Sequence, residues 1–382
     1  MHIALLIPTI DRIGGAERQV LLLAHGLRRR GVRVSVVALS GTGGMEAQAL
    51  TADSIGYVSL EMRKGLADPR GWWRFHRWLR RERPDVVHAH LPHAAWFARW
   101  SRLMVPKLIV VDSIHTSSTG AGGRRLGYRI SDWLPSAVTA VSQAVADAYV
   151  SAGMVAEKHL TVMPNGIEAS AWTRDDAART QTRRMLGFGK AFVWLAAGRL
   201  DPVKDYATLL RAFALIDEPA QLLIAGSGTE ERKLRRLVEE LGLGARVCFL
   251  GFQPDLKQWM QAADGFVSAS LWEGLPMAVL EAAACELPAV VTDVPGNNEA
   301  VLNEETGLRA PKKRPEALAA AMRRMMCAPE EQRRAMGESA RRVVLERYDL
   351  EPVLDSWVEL YGGLITQAAI SRCSESAGPK PN

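Results

Sequence analysis

Residues 270–283, SLWEGLPMAVLEAA, set two carboxylates, Glu273 and Glu281, around a Gly-Leu-Pro step. Paired carboxylates are the machinery of glycosidic-bond cleavage, so an acid/base pair is the first chemistry to weigh. Pro276 argues against it. Proline suits the first turn of a helix, where its missing N–H would have no partner anyway. The spacing therefore predicts a helix from about Leu275 through Cys285, with Glu273 in the loop before it and Glu281 in its second turn. Free amides of Leu275, Met277 and Ala278, next to Gly274 and Pro276, then point out of the helix end towards an anion, with a carboxylate at each side. Carboxylates accept hydrogen bonds from sugar hydroxyls, while amides and cations take phosphates. A nucleotide sugar offers both. The structural alternative is a solvated Glu273 and a salt-bridged Glu281.

Other residues suit the same chemistry. In AAGRLDPVKDY (196–206), Arg199 and Lys204 follow Gly198 on one loop at a strand end. A guanidinium and an ammonium there suit a diphosphate, although solvated surface charge is the usual fate of both types. A glycine turn, AGSG (225–228), repeats the strand–turn–helix theme. IGGAE (13–17) follows the first strand, and Gly14 and Gly15 let backbone approach a ligand at a helix start. That stretch is not a full dinucleotide fingerprint, and a simple tight turn explains it equally well. His115, in DSIHTSS, lies just past a strand end. No Asp-x-Asp occurs, so a metal clamp on a diphosphate lacks its usual carboxylates.

The elements that position these residues alternate. Strands are predicted at HIALLIP, VRVSVVAL, YVSL, DVVHAH, LIVVDSI, AVTAV and LTVMP, with helical patterns between them. The pattern restarts with AFVWLAAG, QLLIAG, RVCFLG, GFVSAS and PAVVTD. Continuous apolar strands with crossover helices make parallel sheets covered on both faces. The fold class is α/β, with two Rossmann-like doubly wound domains facing a central cleft and ligands expected at the strands' carboxyl ends. The polar segment 168–184 reads as the boundary. The expected domains are an acceptor domain over 1–170 and a nucleotide-sugar donor domain over 171–351. A helix over 352–370 crosses back to the first domain, and a disordered tail covers 371–382.

Composition fits a globular protein: 48% apolar and 24% charged residues in 382. Cys248, Cys285, Cys327 and Cys373 show no C-x-x-C pair, which argues against a zinc site or a disulfide framework and fits a reducing cytoplasm. No apolar run reaches membrane-spanning length, and the opening MHIALLIPTI has no basic lead or cleavage site. Charge is uneven: residues 1–180 hold 23 Lys+Arg against 15 Asp+Glu. A basic half predicts an anionic partner. The stretch 68–85, DPRGWWRFHRWLRRERPD, mixes Trp72, Trp73, Phe75 and Trp78 with Arg77 and five other arginines. With Arg124 and Arg125 in a Gly-rich segment, it predicts a surface for acceptor or anionic membrane. The alternative is a crossover helix packing its aromatics on the sheet. Nucleic acid is set aside, because the aromatics sit on one helix and not on a strand platform.

Taken together, GGAE, NGI (165–167), GRL with Lys204, GSG and EGLPMAVLEA resemble the family-4 retaining glycosyltransferases of the GT-B fold, in the family's order over about 1–350. The resemblance implies that Arg199 and Lys204 contact the diphosphate. Glu273 would hold donor sugar hydroxyls and Glu281 the ribose. Gly15 would bring a backbone amide to the phosphates, and Gly251 and Phe252 would lie near the base. His115 would stand near the transferred sugar, and Asn165-Gly166 would mark the hinge side. It implies a nucleotide-diphosphate sugar, UDP-linked by preference, as substrate and a saccharide acceptor, free or lipid-linked. No cofactor is expected, and no metal, since Asp-x-Asp is missing; the cysteine usage and the basic surface predict a cytoplasmic location, peripheral on the inner membrane face. Two positions depart from the pattern: Glu168 stands where Asp is usual, and Asp205 where Gly is common. A nucleotide-sugar epimerase of the same architecture would need no acceptor surface and would be exposed by incubation with donor alone. A non-catalytic donor-binding subunit would be exposed by lack of turnover.

Overall fold

A computed structural model describes residues 1–63 and 68–376. The chain divides into two units, 1–166 with 350–382 and 167–349.

The first unit is built on seven parallel strands: β1 (His2–Ile7), β2 (Arg33–Ala38), β3 (Gly56–Ser59), β4 (Val86–His90), β5 (Ile109–Ile114), β6 (Ala137–Ala140) and β7 (Leu160–Val162). Their order is β3-β2-β1-β4-β5-β6-β7. The helices between them are α1 (Gly15–Arg29), α2 (Gly44–Ala52), α3 (Pro69–Glu82), α4 (Pro92–Met104), α5 (Gly122–Ser131) and α6 (Gln143–Ser151). All six residues of β1 are buried, as expected for a strand covered on both faces. Between α4 and β5, the fully buried Arg99 holds Asp112 at 2.6 Å.

The second unit opens with α7 (Asp176–Met185). It continues through β8 (Phe192–Ala197), α8 (Tyr206–Ala214), β9 (Ala220–Ala225), α9 (Glu231–Glu240), β10 (Val247–Gly251), α10 (Lys257–Ala262) and β11 (Gly265–Ser268). Then come α11 (Met277–Ala284), β12 (Ala289–Thr292), α12 (Asn297–Ala300), β13 (Gly307–Ala310), α13 (Pro315–Cys327) and α14 (Glu330–Arg347). The sheet order β10-β9-β8-β11-β12-β13 repeats the winding of the first unit, so each sheet reverses direction next to its first strand. That reversal is where doubly wound sheets bind ligands, beyond the strands' carboxyl ends.

A last helix, α15 (Leu350–Ser376), returns to the first unit. Leu354, Trp357 and Tyr361 join the core with Val20, Leu23 and Leu27 of α1. Gly26 permits the close approach, since a Cβ there would sit 2.5 Å from Leu354 Cδ1. Arg30 closes the edge on Asp355 at 2.6 Å and Glu351 at 2.7 Å.

The boundaries differ from those the sequence predicts. The chain leaves the first unit after Gly166 and re-enters it at Leu350. Ile167 N donates to Tyr348 O at 2.8 Å, so the outgoing and returning segments pair side by side. Segment 168–184 is no linker: Arg183 of α7 binds Asp264 at 2.8 Å and Arg179 binds it too, which docks the helix beside α10. Strand β13 carries only four residues and was not foreseen. The last helix runs past 370, so residues 371–376 are helical, and the rest of the expected tail lies outside the described residues.

Gly26→Val should destabilise the first unit by about 1–3 kcal/mol through overpacking against Leu354. Urea denaturation followed by tryptophan fluorescence checks this. An unchanged midpoint would mean that α1 and α15 are not in close contact.

Candidate active site

At the carboxyl ends of β8 and β9, two glycine turns lie backbone against backbone. Gly198 (φ +149°) and Gly226 (φ +141°) adopt conformations closed to other residues, and a Cβ on Gly226 would meet Gly198 O at 1.9 Å. Gly228 is confined in the same way by Leu200 O at 2.5 Å. The glycines of AGSG thus serve loop-to-loop packing. Tyr206 Oη donates to Gly198 O at 3.2 Å and holds the first turn against α8.

The loop after β8 then meets the loop after β11, since Leu271 N donates to Val203 O at 2.8 Å. The contact brings Lys204 Nζ to Glu273 Oε1 at 2.6 Å, with the two side chains 24% and 13% exposed. Neither residue is a solvated surface charge. Arg199, from the same loop as Lys204, is 70% exposed, its Nε 3.4 Å from Asp201 Oδ2. Asp205 explains its own departure from glycine. It sits at φ +44°, a region Asp tolerates, and its carboxylate accepts from Thr208 N at 3.3 Å and Thr208 Oγ1 at 2.7 Å to cap α8.

Helix α11 starts two residues later than the sequence predicts. Pro276 is its N-cap, with extended ψ of 99°, and Met277 is its first residue. The first-turn amides are therefore those of Met277 and Ala278, and the Leu275 amide lies ahead of the helix. Leu275 and Met277 are buried. Glu281 is 2% exposed in the second turn. Burial, with the Glu281 carboxylate adding to it, pushes the neighbouring Cys285 thiol up to about 12.

The loop after β12 props this assembly, and sequence reasoning passed over it. Glu273 N donates to Pro295 O at 3.3 Å. Gly296 (φ +85°) leaves no room for a Cβ, which would stand 2.5 Å from Gly274 O. The fully buried Asn297 donates to Thr292 O at 2.9 Å, and Thr292 Oγ1 donates to Ser270 O at 2.6 Å. The available signal was the Pro-Gly step straight after a predicted strand. At the end of β10, Gly251 (φ +68°) turns the chain and Phe252 stands 57% exposed.

In the first unit, Gly14 is the N-cap of α1, and its N–H donates to Glu17 Oε2 at 3.0 Å. A Cβ on Gly14 would lie 2.8 Å from that oxygen, so the folded-back Glu17 accounts for this glycine. Gly15 is the first helical residue, where an amide lies outside the helical ladder. Asn165, ahead of Gly166, is buried.

His115 belongs to a row of three histidines at the ends of β4 and β5. Its Nε2 is 2.9 Å from His90 Nδ1. The rings of His88 and His90 are 4.0 Å apart, and His88 reaches Tyr361 Oη and Ser113 Oγ, each at 2.7 Å. His90 Nε2 and His115 Nδ1 are shielded from solvent and have no hydrogen-bond partner among the described residues. Leu91, which follows, is held at φ +72°, a strained conformation of the kind that gathers at functional sites. The His-Ala-His alternation in β4 was the legible sign, because it sets His88 and His90 on one face. Burial holds His115 down at about 4 and takes His88 and His90 well below their ordinary value, so all three are neutral at pH 7.

The aromatics of the basic stretch mostly pack inward, while Arg70, Arg77, Arg80, Arg81 and Arg83 are exposed. Phe75 and Trp78 of α3 are buried, and Trp72 packs on Phe97 with ring centres 4.2 Å apart. Trp72 therefore faces its own unit and not a membrane, because α3 needs that ring to cover α4. Trp73 alone of the four is exposed, with Arg77 over its ring at 5.4 Å. Arg124 donates to Ser118 O at 2.9 Å, whereas Arg125 is exposed. Among the described residues no cluster of three or more His, Cys, Asp or Glu could hold a metal, and no helix is long and apolar enough to cross a membrane.

Two doubly wound units, with glycine turns, cations and carboxylates at the carboxyl ends of the second sheet, are the plan of a GT-B glycosyltransferase. Residues 13–171 match the model of Glycosyltransferase Family 4, and residues 178–343 that of Glycosyl transferases group 1. The chain belongs to the family-4 glycosyltransferases, and it is an enzyme of that class. It is 28% identical over 350 residues to the lipopolysaccharide core biosynthesis glycosyltransferase LpsD of Rhizobium meliloti, covering 91% of this chain and 95% of that one. It is 25% identical over 256 residues to the UDP-Gal:alpha-D-GlcNAc-diphosphoundecaprenol alpha-1,3-galactosyltransferase of Escherichia coli, covering 63% of this chain and 66% of that one. It is 30% identical over 237 residues to the putative glycosyltransferase EpsD of Bacillus subtilis, covering 58% and 62%. The last two matches thus span just under two thirds of those relatives. Anabaena HepE, solved with UDP-glucose, superposes with a TM-score of 0.85 at 21% identity over 94% of this chain and 99% of that one. Sucrose-phosphate synthase of Thermosynechococcus elongatus gives 0.82 at 21% identity over 96% and 99%. At such identity the likeness to both shows the fold.

The histidine row sets an acid limit on the first unit. A folded-state pKa below the unfolded value means that the unfolded chain takes up protons first. The stability is then complete above about 6.5 and is lost as pH falls from there towards about 4, the His115 value. The melting temperature should fall between pH 7 and pH 5, above the range where carboxylates titrate, and His115→Gln should make the fall shallower. An identical slope in the variant would contradict the neutral His115.

Proposed function

We propose that the chain is a retaining, metal-independent glycosyltransferase. It moves a hexose or N-acetylhexosamine from a UDP-sugar to a hydroxyl of a saccharide, free or lipid-linked, in cell-surface polysaccharide or glycolipid synthesis. It works in the cytoplasm, peripheral on the inner face of the cytoplasmic membrane. The observation that carries the donor assignment is the Lys204–Glu273 pair at 2.6 Å, held between the loops after β8 and β11. The relatives support the sugar chemistry: one uses UDP-Gal on a diphosphoundecaprenol-linked sugar, and another acts in lipopolysaccharide core synthesis.

A shared charge is well suited to a diphosphate donor. Without ligand, the Glu273 carboxylate neutralises the Lys204 ammonium. An arriving diphosphate attracts Lys204 more strongly, with Arg199 and the α11 first-turn amides assisting. Glu273 is thereby released to accept hydrogen bonds from the sugar hydroxyls, and the buried Glu281 takes those of the ribose. Phe252 offers an exposed ring to the base. In the first unit, Gly15 and His115 hydrogen-bond ligand oxygens.

In the reaction the anomeric carbon–oxygen bond to the β-phosphate breaks, and the acceptor oxygen bonds that carbon on the same face. The acceptor proton passes to the departing phosphate oxygen, so neither glutamate is needed as acid or base. Lys204, Arg199 and the helix amides stabilise the charge that develops on the leaving phosphate.

In a thermal-shift panel, UDP-sugars should raise the melting temperature above that of other nucleotide sugars, since a ligand of the folded state stabilises it. Loss of a hydrogen bond to a charged group is worth about 1.5–3 kcal/mol, so Glu281→Ala should weaken donor binding roughly 10- to 100-fold. Glu273→Ala should act mainly on kcat. Unchanged kinetics in both variants would remove the donor assignment. Turnover should persist in EDTA, and activity lost to the chelator and restored by a divalent cation would contradict the metal-independent mechanism. Donor incubated alone should yield no epimerised nucleotide sugar.

A further inference from the structure

Helix α5 carries an exposed apolar stripe that donor chemistry does not use. Leu126 and Ile130 stand one turn apart on the helix, and Trp133 follows in the turn after it; the three are 59%, 50% and 66% exposed. Trp133 Nε1 donates to Ile130 O at 3.0 Å, which fixes the indole beside the stripe. Arg125 and Arg129, both exposed, flank it.

The stripe cannot turn inward, because the opposite side is locked. A Cβ on Gly127 would come within 1.4 Å of the Trp96 indole of α4. Tyr128 and Ser131 are buried, and Arg99 holds Ser131 Oγ at 3.0 Å. The helix sequence, GGRRLGYRIS, has three arginines and no acid. Asp132, just beyond, accepts from Ala156 N at 3.1 Å and lies 3.4 Å from His159 Nδ1.

We infer that this face docks on an anionic lipid surface. Leu126, Ile130 and Trp133 enter the interfacial layer, and Arg125 and Arg129 pair with lipid phosphates. Charge complementarity selects this occupant: the first unit holds 23 Lys+Arg against 16 Asp+Glu, and every charged residue of α5 itself is positive. A tryptophan at the end of such a stripe is typical of a membrane–water boundary. The position also has a use. Helix α5 follows the loop that begins at His115, and Arg124 ties the helix to that loop through Ser118 O at 2.9 Å. Docking therefore holds the ligand-facing end of β5 close to a lipid-linked acceptor. The inference rests on the peripheral-membrane reading and assigns its surface to α5 in place of α3.

The test is sedimentation of the full chain with phosphatidylcholine vesicles, with and without phosphatidylglycerol. Wild type should pellet only with the anionic lipid. A Leu126→Ser, Ile130→Ser, Trp133→Ser variant should lose about tenfold or more in partitioning, since three large apolar side chains no longer leave water. Arg125→Gln with Arg129→Gln should lose the dependence on anionic lipid, whereas Trp73→Ser should pellet like wild type. All the substituted positions are exposed, and melting temperatures confirm folding. Failure of wild type to pellet would overturn both the membrane reading and its surface. Pelleting that survives in the stripe variant, or is lost in Trp73→Ser, would overturn the surface alone. Wild-type dimers in light scattering that the stripe variant abolishes, without vesicle binding, would assign the face to a second copy and overturn the inference.

Discussion

The contact on which the second unit's site depends is the ion pair between Lys204 and Glu273. It joins two loops that are 69 residues apart in sequence, at the edge where the sheet reverses direction. A partly buried pair of this kind is poor evidence of stability by itself, since desolvation offsets much of the attraction. Its worth lies in readiness. Removing either partner strands a charge with reduced solvation, and supplying a diphosphate satisfies the ammonium while releasing the carboxylate. The surrounding backbone is built to keep the two loops in register. Gly226 and Gly296 each stand where a side chain would collide with a neighbouring turn or loop, and Gly198 holds a φ of +149° that other residues rarely adopt.

The first unit uses a different device. Its strand ends present neutral imidazoles in place of charges, and burial keeps them neutral. His90 and His115 face each other while each leaves one ring nitrogen without a partner among the described residues. Buried polar atoms are costly to leave unmade, so such a pair is suited to a ligand that brings hydroxyl groups. Helix α15 braces the row from behind, through Tyr361 Oη on His88 and the Trp357 ring 4.5 Å from it. The crossing back of the last helix thus positions the site as well as completing a core.

Much of this was legible in the sequence because the strands are buried on both faces and read as short apolar runs broken by glycine. The two-unit α/β architecture and the loop positions of Arg199, Lys204 and Glu273 follow from that pattern. What could not be read is what depends on tertiary partners. No local signal shows that Lys204 and Glu273 are bonded to one another, or that Asn297 braces the loop through Thr292. Trp72 and Trp73 are neighbours of the same type, yet one is packed on Phe97 and the other is open. Helical periodicity separates their faces but does not say which neighbour covers each. The boundary at Gly166 was hidden because segment 168–184 reads as polar, whereas two of its four arginines, Arg179 and Arg183, are spent on Asp264.

The most direct measurement is a crystal structure of the full chain with UDP. The account predicts the diphosphate beside the loop after β8, with Lys204 Nζ within about 3.2 Å of a phosphate oxygen and its 2.6 Å bond to Glu273 broken. UDP bound elsewhere, or at this loop with the ion pair intact and no contact from Lys204, would contradict it.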